Sequence, residues 1–173
     1  MKTTSVLATI GVALVLQVTL ARYTVGGRWT FDLVLVGVIY AALYWGAAAG
    51  IAAGTVGGLV QDALSHGTLG VDGLAKTVVG FAAGILGSQF VVSKTGPRLV
   101  LVAGATIVHR GLLLVLDGLI DQRWPGVPWL ATLGEVGLNG VAGLVAFQLT
   151  ERLPGAWDRH RSGRRSGFAR REW

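Results

Sequence analysis

The chain of 173 residues contains 52% hydrophobic and 14% charged residues, and its mean hydropathy is +0.60. Soluble domains carry about 25% charged residues, so this composition excludes a soluble protein and indicates an integral membrane protein of one domain. Because the chain has no cysteine, disulfides, thiolate nucleophiles and cysteine-ligated metal sites are excluded.

The first apolar segment, residues 3–21, is long enough to cross a hydrocarbon layer of roughly 30 Å. Its uncharged part could also be the apolar region of a signal peptide, because Thr19 and Ala21 are small residues near a possible cleavage position. The length of the segment and the single Lys2 before it favour a first transmembrane helix.

Residues 31–64 form a second apolar segment, whose only charges are Asp32 and Asp62 near its two ends. It is too long for one span and long enough for two short ones. Aromatic side chains favour the headgroup level, and an aromatic pair followed by glycine lies near the middle of the segment. We therefore predict a turn at Tyr44, Trp45 and Gly46 between helices at 32–44 and 47–64.

Glycine recurs every four residues at the start of the second of these helices, at Gly46, Gly50, Gly54 and Gly58. Such a stripe allows another backbone to approach closely, which matters because lipid tails give packed helices no hydrophobic advantage. The stripe is either a packing face within the protein or a face for a partner's helix.

Three more apolar segments predict helices at 74–92, 99–120 and 129–149, which completes a six-helix transmembrane domain over residues 1–150. Residues 151–173 then form a basic, mobile tail with seven Arg against three acidic residues. Such a tail is suited to anionic lipid or to cytoplasmic partners.

The last two predicted helices contain ionisable and amide side chains, and each ionisable group inside a span needs a partner or water. Arg110 and Asp117 share one face of a helix but are about 10 Å apart along its axis. Glu135 and Asn139 are one turn apart on the next helix. We predict that Glu135 neutralises Arg110, so that Arg110, Asp117, Glu135 and Asn139 form an intramembrane polar brace.

Residues 57–80 place a polar turn between two apolar helices. Gly67 can end the first helix, and Asp72 can cap the second. Lys76 then lies in the first turn, where a cation is disfavoured, so it needs a carboxylate nearby, either Asp72 or Asp62. These residues predict a capped, charge-paired hairpin.

Signatures of catalysis and of metal binding are absent from the sequence. It has no recognisable motif of a Ser-His-Asp triad, no His-Glu-x-x-His pattern and no phosphate-binding Gly-Lys-Ser/Thr loop. The three histidines, His66, His109 and His160, are isolated in sequence, which does not suggest a metal site. We therefore expect no enzyme activity, cofactor, metal or nucleic-acid partner.

The distribution of Lys and Arg predicts that both termini are cytoplasmic. With six spans, one face collects ten of these residues, from Lys2, Lys94, Arg98 and the tail, and the other collects four. The four are Arg22, Arg28, Lys76 and Arg123.

The polar turn resembles the signature of the bacterial rod shape-determining MreD family, and the agreement extends over residues 30–90. Asp32 at the start of a helix also fits that pattern, whereas Asp72 stands where Asn or His is more usual. The signature residues are Gln61, Asp62, Ser65, Gly67, Gly70, Asp72, Lys76 and Thr77.

The resemblance implies a multi-pass inner-membrane protein of six helices, similar to the substrate-binding subunits of energy-coupling-factor transporters. It implies a non-enzymatic scaffold of the cell-elongation complex that binds the transmembrane helix of MreC and helps to position or regulate peptidoglycan synthases. RodA, a penicillin-binding transpeptidase and MreB are further implied partners, and a homo-oligomer is possible. The alternative is a membrane-transporter subunit that binds a small, vitamin-like solute, which requires a cavity lined by several converging polar groups.

Overall fold

Five α-helices make up the described part of the computed structural model, which comprises residues 11, 32–65, 68–89, 95–122 and 126–152. Within these residues, the four helices from Ala47 onward are long and apolar enough to cross a membrane, whereas the first, Leu33–Trp45, has 13 residues. The chain is therefore an all-helical, multi-pass membrane protein. The helices are α1 Leu33–Trp45, α2 Ala47–Ser65, α3 Val71–Gln89, α4 Thr95–Asp121 and α5 Trp129–Arg152.

The first predicted span and the basic tail fall almost entirely outside the described residues. Of the first span only Gly11 is described, and it is helical. Of the tail, only the two residues that end α5 are described. The sixth span and the mobility of the tail therefore stay predictions.

The predicted turn between the first two described helices is confirmed. Helix α1 ends at Trp45, and Gly46 has φ +91°, a left-handed conformation that favours glycine. Gly46 therefore belongs to the turn, and its predicted place in the glycine stripe is wrong.

The other three stripe glycines pack directly against α3. A Cβ added at Gly50 would overlap the backbone of Gly80, and one added at Gly54 would overlap the backbone of Lys76. Gly58 meets Gly73 in the same way. Close backbone approach of this kind is the usual basis of helix association in membranes. The stripe is thus a packing face within the protein, because α3 already occupies it.

Helix α1 lies in the centre of the bundle and contacts α2, α3, α4 and α5. Eight of its 13 residues are buried, and Leu35 and Ile39 belong to a core cluster that also includes Val79, Val102 and Phe147. A helix that is apolar all round is expected to be buried on every side. The position of α1 places the residue before it, Asp32, deep in the protein, where the polar site lies.

Candidate functional site

The polar site is centred on Lys76, whose side chain is 0% exposed. Its Nζ lies 2.8 Å from Asp32 Oδ2 and also forms an ion pair with Asp72. His109 Nε2 lies 2.8 Å from Asp72 Oδ1 and 3.4 Å from Lys76 Nζ. Asp32, Asp72, Lys76 and His109 are called the lysine cluster below.

Each acidic member of the lysine cluster comes from the amino end of a helix. Asp32 is the N-cap of α1, where its Oδ1 accepts a hydrogen bond of 2.9 Å from Leu35 N–H. Asp72 lies in the first turn of α3, one turn before Lys76. Carboxylates are favoured at helix amino ends because the N–H groups there have no partner within the helix. The two carboxylates then offset the unfavourable position of Lys76 near the amino end of α3.

His109 comes from the middle of α4 and completes the lysine cluster. An ionised carboxylate can only accept hydrogen bonds, so the short contact with Asp72 requires His109 Nε2 to carry the proton and donate it. His109 Nδ1 has no hydrogen-bond partner in the described part of the chain and lies 3.9 Å from Asp32 Oδ2. The imidazole thus lies between the two carboxylates that bind the ammonium.

The donor set of the lysine cluster also resembles part of a metal site. One ligand atom each from Asp32, Asp72 and His109 lies within 4.8 Å of the others. However, the ammonium of Lys76 binds the same two carboxylates. The lysine therefore takes the position that a metal ion would need, and the arrangement is an internal ion-pair network.

An amide side chain from α5 connects that helix to the lysine cluster. Asn139 Oδ1 accepts a hydrogen bond of 3.1 Å from Asp32 N–H. Its Nδ2 donates to Thr106 Oγ1 at 3.3 Å, and both side chains are fully buried. Polar contacts therefore join α1, α3, α4 and α5 at one level of the bundle. The sequence placed Asn139 in a brace with Arg110, which is wrong.

Asp62, and not Asp72, caps α3. Asp62 Oδ2 accepts hydrogen bonds from Gly70 N–H at 2.8 Å and from Gly73 N–H at 3.2 Å. Helix α3 begins at Val71, three residues earlier than predicted, so Asp72 lies inside its first turn and turns to Lys76 and His109. Of the two carboxylates predicted for Lys76, Asp72 is therefore the one that binds it.

The remaining signature residues lie in or near the connection between α2 and α3. Gly70 has φ +97°, which glycine adopts without strain, and Thr77 Oγ1 lies 2.8 Å from Thr55 Oγ1 of α2. Gln61 is half-buried, and Ser65 is the last residue of α2. Gly67 lies outside the described residues.

Arg110 and Glu135 form the ion pair expected between the last two helices, with 3.8 Å between Arg110 Nε and Glu135 Oε2. Glu135 is buried, whereas the Arg110 side chain is 30% exposed. Asp117 is exposed and forms no ion pair within the described part of the chain. The brace therefore consists of Arg110 and Glu135, and Asp117 is not part of it.

Sequence reasoning missed two members of the lysine cluster, Asp32 and His109. Asp32 had a signal, since a carboxylate before a fully apolar helix predicts an N-cap that is buried with the helix. His109 had only its place within an apolar span, where an ionisable side chain needs a partner.

Comparison with known proteins bears on the identity of the chain. A family model described as "MreD: rod shape-determining protein MreD" matches residues 2–123. This range contains the whole lysine cluster and α1 to α4, and it ends before α5. Comparison with curated proteins and with solved structures gives no match.

Proposed function

Because the chain belongs to the MreD family of rod shape-determining proteins, we propose that it is a non-enzymatic scaffold of the cell-elongation complex. Family membership implies a role in determining rod shape, and members are membrane proteins that are generally not catalytic. The proposal adds that this chain binds the transmembrane helix of MreC. Through that contact it helps to position or regulate peptidoglycan synthases, with RodA, a penicillin-binding transpeptidase and MreB as further partners.

The observation that best supports a scaffold is that the ionisable groups of the lysine cluster bind one another. The ammonium of Lys76 is fully buried and paired with two carboxylates, so a substrate cannot reach it. Breaking such a network is costly, which makes it suited to hold four helices in one arrangement. A bundle held in this way presents fixed, apolar outer faces to lipid and to partner helices.

The alternative, a subunit that binds a vitamin-like solute, is less well supported. Polar groups do converge inside the bundle, but Lys76 fills the space between them. Within the described part of the chain, a cleft lined by Arg98, Val102, Gly143 and Phe147 has a volume of about 10 Å³. That is about the room needed by one water molecule, and it is far too small for a vitamin.

The proposal also covers the fold, location and orientation of the chain. We propose six spans and a fold similar to the substrate-binding subunits of energy-coupling-factor transporters. The protein would lie in the inner membrane with both termini cytoplasmic and the basic tail at anionic lipid. Lys76 and Arg98 are buried, so neither should count as a loop charge. Without them the two faces still carry nine and three Lys or Arg residues, and the predicted orientation is unchanged.

Depletion of the protein from rod-shaped cells tests the proposal. We expect the cells to become round, and expression of the chain from a plasmid should restore rods. MreC should copurify with the tagged chain from detergent-solubilised membranes, whereas an unrelated multi-pass protein with the same tag should not retain it. Depleted cells that keep their rod shape, or a chain that never retains MreC, would contradict the scaffold.

A further inference from the structure

Helix α4 is the least buried of the four candidate spans in the described residues, with 17% of its apolar segment buried in the protein. On one face of α4, five residues, three apolar and two charged, follow one another at alternating intervals of four and three. This is the spacing by which two helices pack along a shared seam. We call this face the α4 seam, and its members are Ala103, Ile107, Arg110, Leu114 and Asp117.

Each residue of the α4 seam is half-buried or exposed, and Ile107 is 56% exposed. None of them belongs to the core clusters of the described bundle. Within the described part of the chain the seam is therefore only partly covered, although Arg110 pairs with Glu135 of α5. The glycine stripe of α2, in contrast, is covered by α3.

Arg110 lies near mid-membrane and is incompletely satisfied. It is about 21 Å from one end of the span Gly96–Asp121 and about 16 Å from the other, at 1.5 Å per residue. Its Nε is buried and has no hydrogen-bond partner in the described part of the chain, since Glu135 Oε2 is 3.8 Å away. A partner helix would therefore meet the exposed part of the side chain and not Nε. The Arg110 side chain is 30% exposed, and a charged side chain exposed at this depth needs a further acceptor, because lipid tails supply none. Asp117, one heptad further along, lies near the headgroup level and can accept from a donor there.

From this arrangement we infer that the α4 seam binds one transmembrane helix of a different protein. That helix places a carboxylate, amide or hydroxyl oxygen opposite Arg110, and a donor such as Lys or Arg about two turns away opposite Asp117. The inference rests on the proposed function, and it identifies α4 as the face that meets MreC.

A second copy of this chain does not fit the α4 seam. Two copies in one membrane with the same orientation are related by a two-fold axis along the membrane normal, so their α4 helices would run in the same direction. Arg110 would then face Arg110, and Asp117 would face Asp117. The two Arg110 side chains near mid-membrane would repel strongly, because the surroundings there screen charges poorly.

Cysteine crosslinking can test the seam cleanly, because the chain has no cysteine of its own. Single variants Ile107→Cys and Leu114→Cys are coexpressed in membranes with a cysteine-free MreC that carries single cysteines along its transmembrane helix. A disulfide requires Cβ atoms about 3.5–4.5 Å apart, so it reports direct contact. Val108→Cys is the matched control on the same helix, since Val108 points about 100° away from Ile107. Phe81→Cys is the control on the exposed face of α3.

We expect disulfides to MreC from Ile107→Cys and Leu114→Cys, and few from the two controls. The reactive MreC positions should recur about every 3.5 residues, as in a packed helix pair. Disulfides from Phe81→Cys alone would overturn the seam and leave the proposed function intact. Crosslinked homodimers from Ile107→Cys would also overturn it. Failure of the wild-type chain to copurify with MreC would overturn the proposed function and the seam together.

A charge variant separates partner binding from folding. Arg110→Gln combined with Glu135→Gln removes the ion pair without leaving a buried lone charge. We expect this double variant to lower the crosslinking yield from Leu114→Cys about three- to twentyfold, as the loss of an interhelical polar contact predicts. Its melting temperature should stay within about 4 °C of the wild type, because neutral replacement of a buried pair is often tolerated. An unchanged yield in this variant would contradict the role of Arg110 in binding.

Discussion

Replacement of Lys76 by Met tests whether the lysine cluster holds the bundle together. Met nearly preserves the volume of the side chain but removes the ammonium that pairs with Asp32 and Asp72. Removing one partner of a buried ion pair costs about 3–5 kcal/mol, because the other charge stays buried without compensation. Loss of Lys76 leaves two carboxylates without their cation, so we expect a cost at the upper end of this range, about 5 kcal/mol. For a chain of this length, that corresponds to a melting temperature about 10–20 °C lower.

The measurement is thermal unfolding of the purified protein in detergent, followed by tryptophan fluorescence. Val78→Met is the matched control, since Val78 is exposed on the same helix and its replacement should leave the melting temperature almost unchanged. In the triple variant Asp32→Asn, Asp72→Asn, Lys76→Met, the cluster is neutral, and the amide introduced in place of Asp32 can still cap α1. This variant should regain at least half of the loss. A Lys76→Met protein that melts within about 2 °C of the wild type, or a triple variant no more stable than the single one, would refute the reasoning.

Two further substitutions test the packing and capping described above. Gly54→Ala should destabilise the protein by about 1–3 kcal/mol, because its Cβ would overlap the backbone at Lys76. Gly104→Ala, the control, meets no atom within 4 Å and should be neutral or stabilising by up to about 1 kcal/mol; equal effects of the two would contradict the close packing. Asp62→Ala should cost about 0.5–2 kcal/mol by removing the cap of α3, and Asp62→Asn should cost less because it can still accept. All four variants are measured as shifts in melting temperature. Equal losses of stability for Asp62→Ala and Asp62→Asn would argue against capping.

The sequence by itself determined the features that depend on neighbouring residues. Apolar runs of span length predicted the four long helices of the described region, and the aromatic pair before Gly46 predicted the turn that follows α1. The polar turn at 57–80 was enough to identify the MreD family, which the family model confirms. These predictions succeeded because span length and turn chemistry are local. Asp72, one of the two carboxylates predicted for Lys76, is also local, since it lies four residues away.

Only the tertiary structure decided how the charged residues are partnered. His109 meets Lys76 and Asp72 at separations of 33 and 37 residues, and Asn139 meets Asp32 at a separation of 107. No periodicity within one helix specifies which other helix will lie beside it, so Asp32 and His109 could not be assigned to Lys76 in advance. The glycine stripe of α2 was visible in the sequence because its spacing lies within one helix. Its partner, α3, was not, because that contact depends on how the helices pack. Spacing within a helix sets the shape of a face. The packing of the helices decides which face is covered and which, like the α4 seam within the described residues, stays partly exposed.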